Sequence, residues 1–309
     1  MWRQVVQGTT AVVMGLGLVA PVTASTTSPT VVWPSSPVTA YRVNQAVLRA
    51  AGSPYADWSG PTRQFLHFDR TDGTAVEVLG DLATADRIAV LVPGAGTGLT
   101  VFDRPPGPAA RRAPAAQARA VAVQLRTEDP AARTAVVAWL GYHAPEDPVL
   151  DAARSTLAAA GADRLLTFLT WLAGQRPAAT VTLVGHSYGT VVLGIAADRL
   201  PRQVSDLVAI GSPGMDASSV RELHTTARVW AAEAPTDWIR RVPGIRVGTV
   251  GHGPRPASAA FGARPLPTDG VTGHDGYLVP GAATLPAIAR VVLGQQARVL
   301  ADAAVGGDA

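Results

Sequence analysis

Residues Val181–Gly194 read VTLVGHSYGTVVLG: an apolar, β-branched run that halts at Gly185, shows His186, Ser187 and Tyr188, and turns apolar again after Gly189. The run before Gly185 has the length and β-branching of a buried strand, and the stretch from Thr190 has the apolar spacing of a helix. So sharp a change from strand to helix forces its central residue into strained dihedrals. Side chains at Gly185 or Gly189 would collide there with neighbouring backbone. In an open parallel sheet, ligands bind at the carboxyl ends of the strands, which puts Ser187 at the functional edge. The G-x-S-x-G turn then presents one hydroxyl, and the helix N-terminus behind it offers free N–H groups to developing negative charge.

Outward from this turn, the chain alternates. Strand-like runs occur at Arg87–Pro93, Arg133–Leu140, Thr180–Gly185, Asp206–Gly211, Ala227–Ala232 and Ile245–Gly251. Helical spacing occupies Ala109–Leu125, Asp151–Trp171 and Thr190–Leu200, with a further helix over Val38–Ala51. Strands that are apolar without alternation are buried on both faces, which indicates a mostly parallel sheet covered by helices. Arg63–Asp69 and Thr74–Gly80, joined around Thr71-Asp72-Gly73, read as an antiparallel hairpin leading into that sheet. The expected class is α/β, with helices on both faces of the sheet.

The 309 residues are 47% apolar, so a large aliphatic core can form. Every one of the 26 basic residues is arginine, the net charge is only +3, and the arginines are scattered, which argues against a nucleic-acid partner. Residues 1–24 combine Arg3, an apolar run from Thr10 to Val22 and small residues ending at Ala24, the pattern of a secretory signal peptide. A secreted or cell-envelope location follows, with membrane attachment only if that segment is retained. Residues 25–37 are Ser/Thr/Pro-rich and read as an extended linker, leaving 38–309 as a single domain. The chain has no cysteine, so an exported form relies on its core rather than on disulfides.

A serine hydroxyl needs a base, and the base needs a carboxylate that fixes its tautomer. Of the six histidines, His67 and His143 precede the serine, His186 is directed away from it within the turn, and His224 belongs to the surface. His252 and His274 remain. His274, in the glycine-rich stretch Thr272–Leu278 ahead of the closing helix, is favoured over His252. Asp237, behind the strand Ala227–Ala232, is the favoured acid ahead of Glu233. Asp216 is its main rival, and Asp269 and Asp275 are crowded against the histidine loop. The glycine-rich turn after Val92 supplies oxyanion donors, the N–H groups of Ala95 and Gly96 joining that of Tyr188. Trp139, Tyr142 and His143 end the strand before the elbow strand and are expected to line the substrate pocket. Phe102–Ala116, rich in proline and arginine, reads as a flap, an acidic-substrate contact or a solvated loop. A phosphate-cradling Walker loop needs a lysine that this chain lacks, and G-x-G-x-x-G is absent from the turn after Val92. No metal or cofactor is expected.

The segments GHSYGTVV, GSPGMD, FGARPLPTDG and GHDGYL, with VPGAGT and WLGYHAP upstream, resemble a branch of the α/β-hydrolase superfamily common in actinobacteria and without an agreed substrate. The similarity runs from Ile88 to Gly294. It implies an α/β-hydrolase fold with Ser187 as nucleophile and His274 as base. It leaves the acid to be inferred from position. The expected activity is that of a serine hydrolase of small-molecule or lipid-like carboxylic esters, EC 3.1.1 in type. Amide or peptide cleavage, acyl transfer, and a catalytically silent envelope-binding role are the alternatives.

Overall fold

The computed structural model describes residues 31–104, 107–146, 154–246, 248 and 250–299, without the side chains of Pro108 and Ala109. The signal-peptide reading of residues 1–24 therefore lies outside the described residues, as does the linker up to residue 30. The rest of the expected linker is not a free spacer. Trp33 stacks on Trp171 with ring centroids 5.4 Å apart, and Trp171 Nε1 donates to the Pro34 carbonyl at 2.7 Å. From Val31 onward the described chain forms one unit.

Helix α1, Pro37–Ala50, precedes the hairpin of β1, Gln64–Asp69, and β2, Thr74–Gly80. There follow β3, Arg87–Val92; α2, Leu99–Phe102; α3, Pro114–Glu128; β4, Thr134–Leu140; and α4, Thr156–Gln175. The second half runs β5, Thr180–His186; α5, Gly189–Ala196; β6, Val204–Ile210; β7, Arg228–Ala232; β8, Arg264–Pro265; and α6, Thr284–Val292. The eight strands form one sheet in the order β1-β2-β4-β3-β5-β6-β7-β8. Only β2 runs against its neighbours, and every other pairing from β3 to β8 is parallel.

The alternation of side chains across each strand divides the core into two layers. Ile88, Val90, Val137 and Leu183 pack with residues of α4 and α5 on one face. Ala89, Leu91, Val136 and Val184 pack with residues of α3 and α6 on the other. No helix among the described residues is long and apolar enough to cross a membrane.

One expected strand does not form. Over Ile245–Gly251 the described residues make only an isolated bridge, Val250 to Arg154, and Gly248 and Gly251 adopt positive φ, which breaks an extended run. The place of the last strand is taken by Arg264–Pro265. It pairs with β7 through two residues at the sheet edge, where a proline that donates no ladder hydrogen bond is tolerated.

Candidate active site

Ser187 occupies the turn between β5 and α5 with φ +53°, a left-handed conformation that costs a non-glycine residue about 1–3 kcal/mol. The surrounding backbone over-determines it. Ser187 N donates to the Ile210 carbonyl at 3.0 Å, and the Ser187 carbonyl accepts from Thr190 N at 3.0 Å and Thr190 Oγ1 at 2.7 Å. The flanking glycines are required by close approach. A Cβ on Gly189 would lie 2.3 Å from the Val92 carbonyl oxygen, and one on Gly185 would lie 2.9 Å from Thr190 N. Opposite them Gly94 presses on the serine itself, since its Cβ would fall 2.6 Å from Ser187 Cβ.

His274 and Asp237 come together from two loops at the same carboxyl edge. His274 Nδ1 lies 2.8 Å from Asp237 Oδ1 and 3.0 Å from Oδ2. Asp237 follows β7 and caps the short 3₁₀ turn Trp238–Arg241, accepting from Ile239 N at 2.9 Å. Tyr277 Oη donates to Asp237 Oδ2 at 2.6 Å and accepts from Ala234 N at 2.9 Å. Burial alone would raise the Asp237 carboxyl, but the donors from His274, Tyr277 and Ile239 outweigh it and hold the group below the usual carboxylate range. Burial, and then the carboxylate it bonds, push the Tyr277 hydroxyl far up, so it stays a donor.

The His274 ring sits between two others, with His186 at 4.8 Å and Trp238 at 4.7 Å between centroids. His186 Nε2 lies 2.8 Å from the His274 carbonyl oxygen, tying the histidine loop to the residue before Ser187. Burial, and then the nearby His274, pull the His186 imidazole down to about 4, so it is neutral at ordinary pH. Its partner here is a carbonyl oxygen, so Nε2 carries the proton. The sequence makes His186 a structural or pocket-lining residue rather than the base, and it does line the cavity. A loop 88 residues further on makes it part of the site.

A cavity of about 340 Å³ opens onto this constellation, lined by Ala95, Thr97, Arg112, His186, Ser187, Trp238, His274 and Asp275. Ser187 Oγ makes no hydrogen bond among the described residues and faces the same cavity as His274. Ala95 lines this cavity. The Tyr188 N–H begins α5 beside Ser187, while its side chain turns away, the hydroxyl donating to the Arg154 carbonyl at 2.6 Å and accepting from Ala158 N at 3.0 Å.

Three expectations are corrected. Gly96 N is already committed to the Pro145 carbonyl at 2.7 Å and has no proton left for an oxyanion. Trp139 and Tyr142 are fully buried in the layer beneath the site, stacked on one another at 5.9 Å, and Tyr142 Oη donates to the Pro93 carbonyl at 2.7 Å. They brace the glycine-rich turn from below instead of lining the cavity. His143 is exposed and bonds Asp72 Oδ1 at 3.0 Å, on the hairpin turn.

The main rivals, Asp216 and His252, are placed elsewhere. Asp216 pairs with Arg246 at 3.0 Å and accepts from Ser155 Oγ at 3.0 Å. His252 is buried with Nδ1 3.3 Å from Ser155 Oγ and its ring against Tyr188. Asp275, a minor candidate for the acid, lines the cavity without bonding His274, and Arg112 comes from the stretch Phe102–Ala116, read as a flap, an acidic-substrate contact or a solvated loop. Arg112 arrives from the arginine-rich stretch before α3, and only the folding of that stretch over the turn after β3 brings it to the rim.

The sheet order, the strained serine between β5 and α5, and the histidine–aspartate pair at its edge define the architecture of an α/β hydrolase. A family model described as alpha/beta hydrolase matches residues 69–247, and the chain belongs to that family. Over 255 residues it is 29% identical to the uncharacterized proteins MT2140 and Rv2079 of Mycobacterium tuberculosis, matches covering 72% of this chain and 37% of each relative. The chain thus matches little more than a third of the length of these curated relatives. Among solved structures it is similar to a dienelactone hydrolase from Anabaena variabilis, at 18% identity and TM-score 0.46 over 77% of this chain and 99% of that one. It is also similar to a carboxylesterase from Mesorhizobium loti, at 15% identity and TM-score 0.44 over 75% and 99%.

Proposed function

We propose that this chain is a serine hydrolase that cleaves carboxylic esters through an acyl-enzyme, with Ser187 as nucleophile, His274 as general base and Asp237 as the carboxylate behind it. The observation that carries the reading is the pairing of His274 Nδ1 with the buried Asp237 at 2.8 Å, while His274 and Ser187 line one cavity. With Nδ1 donating to the carboxylate, Nε2 is the basic nitrogen and is available to the serine.

In this scheme Ser187 Oγ attacks the acyl carbon while His274 Nε2 takes its proton. The carbonyl π pair moves onto oxygen, where the Ala95 and Tyr188 N–H groups meet it. The tetrahedral adduct collapses, the bond to the alcohol oxygen breaks, and His274 returns its proton to that oxygen. Water then attacks the acyl-enzyme, giving its proton to His274. Collapse releases the acid and restores the serine hydroxyl. Asp237 stays ionised throughout and stabilises the imidazolium, consistent with its lowered carboxyl.

Export is part of the proposal and rests on residues 1–24; a mature N-terminus at Ser25 after expression in a secreting host would support it. For the chemistry, the test is labelling by a fluorophosphonate probe together with turnover of short p-nitrophenyl esters. Wild-type protein is expected to label at Ser187 and to release p-nitrophenol, and Ser187→Ala to do neither. Folded wild-type protein that takes no label would overturn the assignment.

A further inference from the structure

The cavity beside Ser187 is lined mainly by polar residue types. Of its eight lining residues only Ala95 and Trp238 are apolar, and two carry full charges, Arg112 and Asp275. Neither charged side chain makes a hydrogen bond or ion pair among the described residues. Arg112 is exposed at the mouth of this cavity, so its guanidinium is open to an incoming ligand. Arg112 lies against the turn after β3, its Nη2 only 2.7 Å from where a Cβ on Gly96 would fall, and that turn also presents Ala95 to the cavity. The guanidinium therefore stands over the turn proposed to bind the oxyanion, with its fork of donors unclaimed.

We propose that Arg112 is a specificity residue that binds a carboxylate carried by the substrate, so that the preferred esters are small and acidic rather than lipid-like. The inference rests on the serine-hydrolase reading above and names its substrate class. A planar guanidinium offers two parallel N–H donors that match a carboxylate, and a partly enclosed cavity strengthens that pairing relative to open water. A long acyl chain would meet the opposite environment, covering Arg112, Thr97 and Asp275 with hydrocarbon and stranding charges without partners. Asp275, next in sequence to the proposed base, adds direction. It repels an anion on the histidine side of the cavity and leaves Arg112 as the place for it.

Two matched ester pairs test this, one with the carboxylate on the acyl side and one with it on the leaving side: mono-(4-nitrophenyl) adipate against 4-nitrophenyl hexanoate, and the acetyl ester of 4-hydroxybenzoate against that of 4-hydroxybenzamide. The readout is the ratio of kcat/KM for acidic over neutral ester. In at least one pair that ratio is expected to exceed ten in wild type, to fall at least tenfold in Arg112→Gln, and to be partly kept in Arg112→Lys. Asp275→Asn is expected to raise it. Arg111→Gln, which removes the same charge from a residue facing a separate groove, is expected to leave the ratio within twofold. Labelled, active wild type with no acidic preference in either pair, a ratio indifferent to Arg112→Gln, or preference for a trimethylammonium ester would overturn the inference alone. Wild type that neither labels nor turns over any ester would overturn the serine-hydrolase reading, and this inference with it.

Discussion

Replacing Tyr277 with phenylalanine isolates one oxygen in the proposed relay. The ring is buried, and its hydroxyl makes two bonds, donating to Asp237 Oδ2 at 2.6 Å and accepting from Ala234 N at 2.9 Å. Phenylalanine keeps the packing and removes both bonds. A hydrogen bond to an ionised group contributes about 1.5–3 kcal/mol, and stranding a buried N–H costs about 1–3 kcal/mol. Since these overlap, a net loss of about 2–4 kcal/mol is expected, equivalent to a fall in Tm on the order of 5–10 °C for a domain of this size.

The effect on turnover should be smaller. Asp237 keeps His274 Nδ1 and Ile239 N, so it moves by much less than the full ångström that costs about a hundredfold, and kcat/KM should fall roughly tenfold. Thermal melts at neutral pH and kcat/KM on one p-nitrophenyl ester measure both. An unchanged Tm with an unchanged kcat/KM would refute the claim that Tyr277 holds the carboxylate.

His186→Phe removes the tie to the His274 carbonyl while keeping a ring, and should slow fluorophosphonate labelling about tenfold or more. It should also change the pH dependence of stability. A histidine pulled from 6.5 to about 4 in the folded state contributes stability that is whole above pH 6.5 and lost as pH falls toward 4, so wild type should lose more Tm than the variant between pH 7 and 4.5. His252→Ala empties a buried site away from the cavity. It should lower Tm and leave labelling at Ser187 within a few-fold, whereas His274→Ala should slow labelling by about 10²–10⁴. Equal losses in these last two variants would show that the base has been misassigned.

The pattern around Ser187 made the fold legible because the features that specify it are local. A strand run, two glycines and a following apolar helix all lie inside Val181–Gly194, although the contact that demands Gly189 comes from Val92 at the end of β3. Seven strands, β1–β7, and the helices α1, α3, α4 and α5 followed from the local pattern for the same reason. The edge strand Arg264–Pro265 did not, because two residues containing a proline have no strand signature. They are extended only because β7 offers them a partner.

Among the site residues, chain order and strand ends led to His274 and Asp237. Sequence position was a poor guide to what surrounds them. Trp139 and Tyr142 end a strand yet are drawn into the layer below, since large rings gain more from full burial than from a cavity wall. Gly96 lost its N–H to Pro145, a carbonyl 49 residues later. Arg112 reached the cavity because its segment folds over the turn after β3. The local pattern of strand, glycines, serine and helix wrote the elbow into the chain. Which donors remain free, and which charge looks into the cavity, depended on long-range contacts that exist only once the sheet has closed around them.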